Sequence, residues 1–216
     1  MIEIKKGKEP PELIAYRKTE YATYDNMPKE VHDAVLKSLI QEQGNLCAYC
    51  MCRIPQEKKK PSATIEHWNP QSKTSNNTAL DYRNMLAVCS GNRGCRSKKD
   101  MTCDAKRGNT SLTVNPLNAS TLSSISYKSD GTIFSPNLNI NSDLDITLNL
   151  NCSCVGLVEN RLRALQTMLR ELKKKHPKGD ITLTCSRMLE KYQSQTPKTP
   201  YLGILMWWLQ KHMSKG

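Results

Sequence analysis

The sequence predicts an α+β fold in which a small, irregular, cysteine-rich module sits between helical flanks. Three observations predict it. An amphipathic stretch of about four turns precedes the first cysteines. From Asn45 to Asn109 the apolar periodicity disappears, and Cys, Gly, Asn, Pro and Lys dominate, as in a module organised by metal rather than by a large core. Beyond Val155 a leucine stripe at helical spacing returns. The expected division is a helical arm at 1–43, a core at 44–118 and a hairpin followed by helices at 119–216.

In chain order, Pro28 is suited to open a helix after Asn26 and Gly44 to close it, with Val31, Val35, Leu36, Leu39 and Ile40 on one face. Ile125–Phe134 alternates about Asp130-Gly131, a hairpin signal, because that dipeptide accepts the positive φ of a tight turn. Leu162, Leu165, Leu169 and Leu172 mark a long helix that stops at Pro177-Lys178-Gly179. The segment Tyr201–Gln210 is a short, very apolar helix, with Met206, Trp207, Trp208 and Leu209 either in the core or on a docking face.

With 216 residues the chain can bury a core without covalent staples. Its 32 Lys and Arg against 20 Asp and Glu give a formal charge of +12, which points to a polyanionic partner. The excess is uneven: 1–43 is net −1, 44–110 is +7, 111–155 is −2 and 156–216 is +8. Aromatic residues are 6% of the chain, with one Phe, which argues against a stacking platform for single strands. Nine cysteines, an odd number, behind a start that offers no apolar signal segment are expected to be reduced cytoplasmic thiols, some of them holding metal. No apolar run approaches the ~20 residues that span a bilayer, so no membrane is expected. The chain also has no G-x-x-x-x-G-K-[ST] motif, so it does not use nucleotide by the P-loop route.

Cys47-Ala-Tyr-Cys50 is a C-x-x-C pair, and Cys89 follows about forty residues on, with Cys103 and Cys95 as rival fourth partners. Such a set predicts a structural zinc on four thiolates. Cys52, Cys152, Cys154 and Cys185 read as ordinary thiols. Between the cysteine pairs lies Thr64-Ile-Glu66-His67-Trp-Asn-Pro70. Of the four histidines only His67 follows a carboxylate inside the metal-organised block; His32, His176 and His212 read as surface residues.

The order C-x-x-C, carboxylate-His-x-x-Pro, Asn84-x-x-x-x-Cys89 and Cys103-Asp-x-Lys106-x-Gly resembles the HNH (ββα-metal) endonucleases. The flanks, Glu42-Gln-Gly-Asn-Leu-Cys-Ala-Tyr-Cys50 and Leu148-Asn-Leu-Asn151 followed by Arg161 among them, are similar to the nuclease subunit of Septu anti-phage systems, the PtuB family. The resemblance implies a small ββα-metal core with structural zinc. It implies His67 as general base, Asn84 orienting the His67 loop, and Glu66 and Asp104 as oxygen ligands of a catalytic ion. Many relatives place a His or Asn where Asp104 stands, so the all-oxygen pair favours Mg²⁺ or Mn²⁺. Lys106 and Arg107 are suited to the scissile or adjacent phosphate. On charge, Arg53, Lys58-Lys59-Lys60, Lys73, Arg93, Arg96, Lys98 and Lys99 are candidate contacts to double-stranded DNA. Six of them pairing with phosphates gives a log–log salt slope of about −5. A second basic run, Arg161, Arg163, Arg170 and Lys173–Lys175, faces DNA or an acidic protein.

The family implies a metal-dependent DNA endonuclease subunit controlled by an ABC-type ATPase (PtuA-like) that carries the nucleotide switch. A non-enzymatic zinc-ribbon DNA-binding subunit and a solitary restriction-type HNH nuclease are the alternatives, and RNA as substrate also stays open.

Overall fold

The computed structural model describes residues 1–55, 62–73, 75–175 and 181–213. The Lys58–Lys60 triplet, His176 and the expected helix stop at Pro177–Gly179 lie outside them.

The architecture is α+β. Helix α1 (Pro11–Tyr16) and helix α2 (Lys29–Glu42) pack against each other. Val35, Leu36, Leu39 and Ile40 form the buried face of α2. Gly44, at φ +62°, ends the helix: its amide donates to Gln41 O at 3.0 Å and the Asn45 amide to Ile40 O at 2.8 Å. This paired closure satisfies two orphan carbonyls and requires a left-handed residue at Gly44. The chain then makes the Cys47–Cys50 turn, with Met51 N bonded to Cys47 O and Cys47 N to Cys52 O.

Strand β1 (Ala63–His67), helix α3 (Asn76–Ala79), strand β2 (Met85–Cys89) and helix α4 (Cys103–Arg107) follow. β1 and β2 are antiparallel, with Ala63 opposite Cys89 and His67 opposite Met85. α2 covers this ribbon and α4 packs on β2. Both strands are therefore buried along most of their length and do not alternate, which is why their sequences carry little period-two signal.

After helix α5 (Ala119–Leu122), strands β3 (Ser126–Tyr127) and β4 (Ile133–Phe134) form the hairpin around Asp130-Gly131. Helix α6 (Leu138–Ser142) continues into a π-helical turn at Asp143–Thr147. Three longer helices complete the chain: α7 (Leu157–Lys175), α8 (Thr182–Ser194) and α9 (Leu202–Met213). In α7, Leu165, Met168 and Leu172 are buried, whereas Leu162 and Leu169 of the expected stripe are half-buried. α9 takes its inner face, Leu202, Ile204, Leu205 and Leu209, into the core and leaves Met206, Trp207 and Trp208 half-buried. The tail is thus core on one side. No helix among the described residues is long and apolar enough to cross a membrane.

Candidate metal centre and active site

Four cysteines converge from three elements. Cys47 and Cys50 come from the turn after α2, Cys89 from the end of β2 and Cys103 from the start of α4; their Sγ atoms all lie within 4.8 Å of one another. The Cys47–Cys103, Cys50–Cys89 and Cys89–Cys103 separations are 3.8, 3.7 and 3.8 Å. A tetrahedron of thiolates at ~2.3 Å from a zinc ion has edges of ~3.8 Å, so the spacing fits a metal and is far too long for disulfides. All nine cysteines are free thiols. The group could hold a metal ion such as zinc.

Cys95, the rival ligand, is not among the four; its Sγ approaches Ser97 O at 3.0 Å. The loop between Cys89 and Cys103 closes at Gly91, where a Cβ would collide with the Thr102 carbonyl and φ is +58°. Thr102 N donates to Gly91 O at 2.9 Å across that closure, which brings the last two thiols together.

His67 ends β1 and is 5% exposed. Its Nε2 lies 2.9 Å from the Ala79 carbonyl oxygen. A carbonyl only accepts, so Nε2 carries the proton and Nδ1 is left as the acceptor of the neutral ring. Burial lowers the His67 pKa, outweighing the Ala79 bond, so the neutral form is favoured. Tyr24 meets the ring edge-on, with centroids 4.5 Å apart. Asn84, in the 3₁₀ turn before β2, clamps the chain beyond His67. Its Oδ1 accepts from Asn69 N at 2.8 Å, and its Nδ2 donates to Asn69 O at 3.1 Å and Thr78 O at 3.3 Å.

Glu66 is buried beside His67. Arg107 forms an ion pair with its Oε1, which also accepts the Tyr49 hydroxyl at 2.9 Å. Burial first, then the neighbouring Asp104 charge, push the Glu66 carboxyl up to about 7 against the lowering pull of Arg107. The Tyr24 phenol is pushed up to about 12, by burial and then by the Glu66 and Asp104 charges. Tyr24, Glu66, His67 and Asp104 thus share one neighbourhood. Asp104, in the first turn of α4, is paired through Oδ2 with exposed Arg93.

Two arginines expected at phosphates, Arg107 and Arg53, and one expected to face DNA or an acidic protein, Arg161, are spent on acceptors within the protein. Arg107 is 3% exposed, and its guanidinium donates to Thr110 O, Tyr49 Oη, Glu66, His67 O and Trp68 O. It is a buried clamp holding α4 to the end of β1, not a DNA contact. Arg53 donates to Gly44 O at 3.1 Å and Lys198 O at 2.5 Å, tying the cysteine turn to the approach to α9. Arg161 is buried against Gly131 O, Leu150 O and Asn151 Oδ1, and so leaves the basic run of α7. Lys73, Arg93, Arg96, Lys98 and Lys99 are exposed. Lys73 reaches Ser111 Oγ at 3.1 Å, and Lys106, half-buried, reaches Lys98 O at 3.3 Å. Arg163, Arg170, Lys173 and Lys174 are exposed on α7.

The sequence reading missed Tyr24, Tyr49 and the Ala79 carbonyl. Tyr49 lies inside the C-x-x-C pair, which was the available signal; nothing local marks Tyr24 or Ala79. No protein-family model and no curated protein matches this chain.

Proposed function

We propose that the chain is a metal-dependent endonuclease subunit of the HNH type acting on double-stranded DNA, with His67 taking the proton of the attacking water. The His67 ring carries this reading. It sits at the end of a strand–strand–helix unit with Nε2–H committed to Ala79, so Nδ1 offers a lone pair near neutral pH. Asn84 holds the following loop by three bonds, which keeps the ring's approach fixed. We assign the phosphate contacts to Lys73, Lys98 and Lys99, which are exposed, and to Lys106, which is half-buried beside them. Zinc on the four thiolates is the metal we assign to the cysteine group, as a structural ion that ties α4 to β2 and the C-x-x-C turn.

Glu66 and Asp104 would hold the catalytic Mg²⁺ or Mn²⁺. Each is engaged by an arginine through one oxygen, and such cations need only one or two carboxylates plus water, so the donor chemistry fits. Bound there, the ion would relieve charge on the scissile phosphate and the leaving oxygen. On the resemblance of the flank motifs we assign the chain to a Septu-like anti-phage complex in the cytoplasm, with nucleotide hydrolysis given to an ABC-type ATPase partner; the lack of a P-loop motif in this sequence agrees with that division.

One observation favours a second reading, a non-enzymatic zinc-bearing DNA-binding subunit: Arg107 already neutralises Glu66 from within. Plasmid relaxation separates the two. Mg²⁺-dependent nicking by the wild type, lost in His67→Ala with fold and zinc content unchanged, supports the nuclease. If the wild type cuts nothing, even with an ATPase partner and nucleotide, the binding subunit is the better description.

A further inference from the structure

We propose that Cys152, Cys154 and Asp100 form a second metal site, for a thiophilic divalent cation of the zinc class, distinct from the four-cysteine group. Their ligand atoms all lie within 4.8 Å of one another. Cys154 Sγ is 3.0 Å from Asp100 Oδ1.

The cluster is held by the fold and is not a chance meeting of surface groups. Asp100 ends a 3₁₀ turn at Lys98–Asp100 that Ser97 caps. Asn149 Nδ2 donates to Lys99 O and to Met101 O, both at 2.8 Å, so one side chain brackets the ligand residue on either side. Asn149 also accepts, through its own carbonyl, the Cys152 amide at 3.2 Å. It sits at φ +51°, a conformation Asn tolerates better than most residues. Asn92 Nδ2 fixes the Asp100 carbonyl at 3.0 Å. The segment bearing the two thiols and the turn bearing the carboxylate are therefore locked together through a residue that is not itself a ligand.

The donor set selects the ion. Two thiolates favour zinc-like cations over Mg²⁺ or Ca²⁺, and a carboxylate is an accepted third zinc ligand. Cys152 is buried and Cys154 exposed, so the fourth position opens to water. A tetrahedral zinc separates a thiolate from a carboxylate oxygen by ~3.6 Å, so the exposed Cys154 side chain needs to move outward by only ~0.6 Å. The bound ion would clip the Lys98–Lys99 turn to the segment that leads into α7.

Metal stoichiometry of the purified, reduced full chain tests this, by native mass spectrometry and elemental analysis after zinc loading and desalting. Two zinc ions per chain are expected in the wild type and one in the Cys152→Ser/Cys154→Ser variant. Because Cys154 is exposed, Cys154→Ser alone serves as the variant that disturbs no packing; it is expected to release the second ion to a chelator that leaves the wild type fully loaded. In the cobalt form, the double variant loses about one third of the thiolate-to-metal absorption, six thiolates falling to four. A wild type that saturates at one ion overturns the proposal. So does a double variant that still holds two, or a second ion bound with the same affinity in wild type and double variant.

Discussion

Replacing Arg107 by Met removes the charged head while keeping much of the apolar stem, and the structure sets the cost. Five bonds go: to Thr110 O at 2.8 Å, Tyr49 Oη at 2.9 Å, His67 O at 3.1 Å, Trp68 O at 2.6 Å, and the pair with Glu66. Both partners of that pair have side chains at most 9% exposed, so solvent neither screens the pair nor replaces the lost donor. Stranding one member of a buried pair costs about 3–5 kcal/mol, and that figure covers most of the loss here. Glu66 lessens the cost by taking a proton, so the destabilisation is expected to be larger at about pH 8 than at about pH 6. The double variant Glu66→Gln/Arg107→Met removes both charges and is expected to regain at least about 2 kcal/mol over Arg107→Met alone. Urea unfolding followed by tryptophan fluorescence, with zinc in excess, measures all three proteins. A cost below about 1 kcal/mol for Arg107→Met, or a double variant no more stable than the single, refutes the assignment of Arg107 as an internal clamp.

Further outcomes follow from single residues. Cys103→Ser is expected to lose the ion of the four-cysteine group and Cys95→Ser to keep it, as elemental analysis reads directly. Gly91→Ala forces a Cβ against Thr102 O at a positive φ, so it should cost at least about 2 kcal/mol and release metal to a chelator sooner than wild type. Thr64 Oγ1 is buried without a hydrogen-bond partner, so Thr64→Val should stabilise by about 1 kcal/mol in the same urea assay. The His67 pKa is lowered on folding, so the unfolded chain binds the proton first as pH falls below about 6.5. Stability from this group is therefore complete above that pH and lost as pH falls towards the folded value. His67→Gln should flatten the acid limb of the urea midpoint, and an unchanged limb counts against a neutral, buried ring.

The parts of the site that read clearly in the sequence are those whose geometry is local. Cys47 and Cys50 share one turn, so their spacing alone puts two thiols on one side. Glu66 and His67 are adjacent on one strand, and Asn84 precedes the partner strand. What could not be read was set by contacts distant in sequence. Cys95 is nearer to Cys89 than Cys103 is, but Cys103 N is pinned to Leu148 O at 2.9 Å, and Leu148 carries no local mark of that role. Arg107 stands in a Lys-Arg-Gly run that looks like a phosphate grip; the partners that the fold brings to it, Tyr49, Glu66 and the His67 and Trp68 carbonyls, make it internal. Helix α8 went unseen because Thr182, Thr184, Cys185 and Ser186 are weak helix formers. It is helical because Thr184, Cys185, Met188 and Tyr192 bury one face, and its main packing partner is α9.

The charge pattern divides the chain into blocks, but the core does not follow that division. One apolar cluster runs from Ile4 through α2, the cysteine turn and β2 to Leu209. Polar ties cross the same boundaries. Asp143, in the π turn, accepts the Thr113 and Val114 amides at 2.6 and 2.9 Å; Lys198 N donates to Gly44 O and Tyr201 N to Met51 O. The cysteine turn is thus hydrogen-bonded on one side to the chain entering α9, and through Cys103 to the residue that ends the π turn. A ligand-bearing turn held this way cannot relax alone. Cys47 and Cys103 are both buried, so loss of an ion held by the four thiols is expected to loosen α9 and the 143–151 segment as well as the loop. Chelation is therefore expected to lower amide protection in α9 as well as around Cys103. Loss confined to 89–103 would show the helical region to be an independent unit.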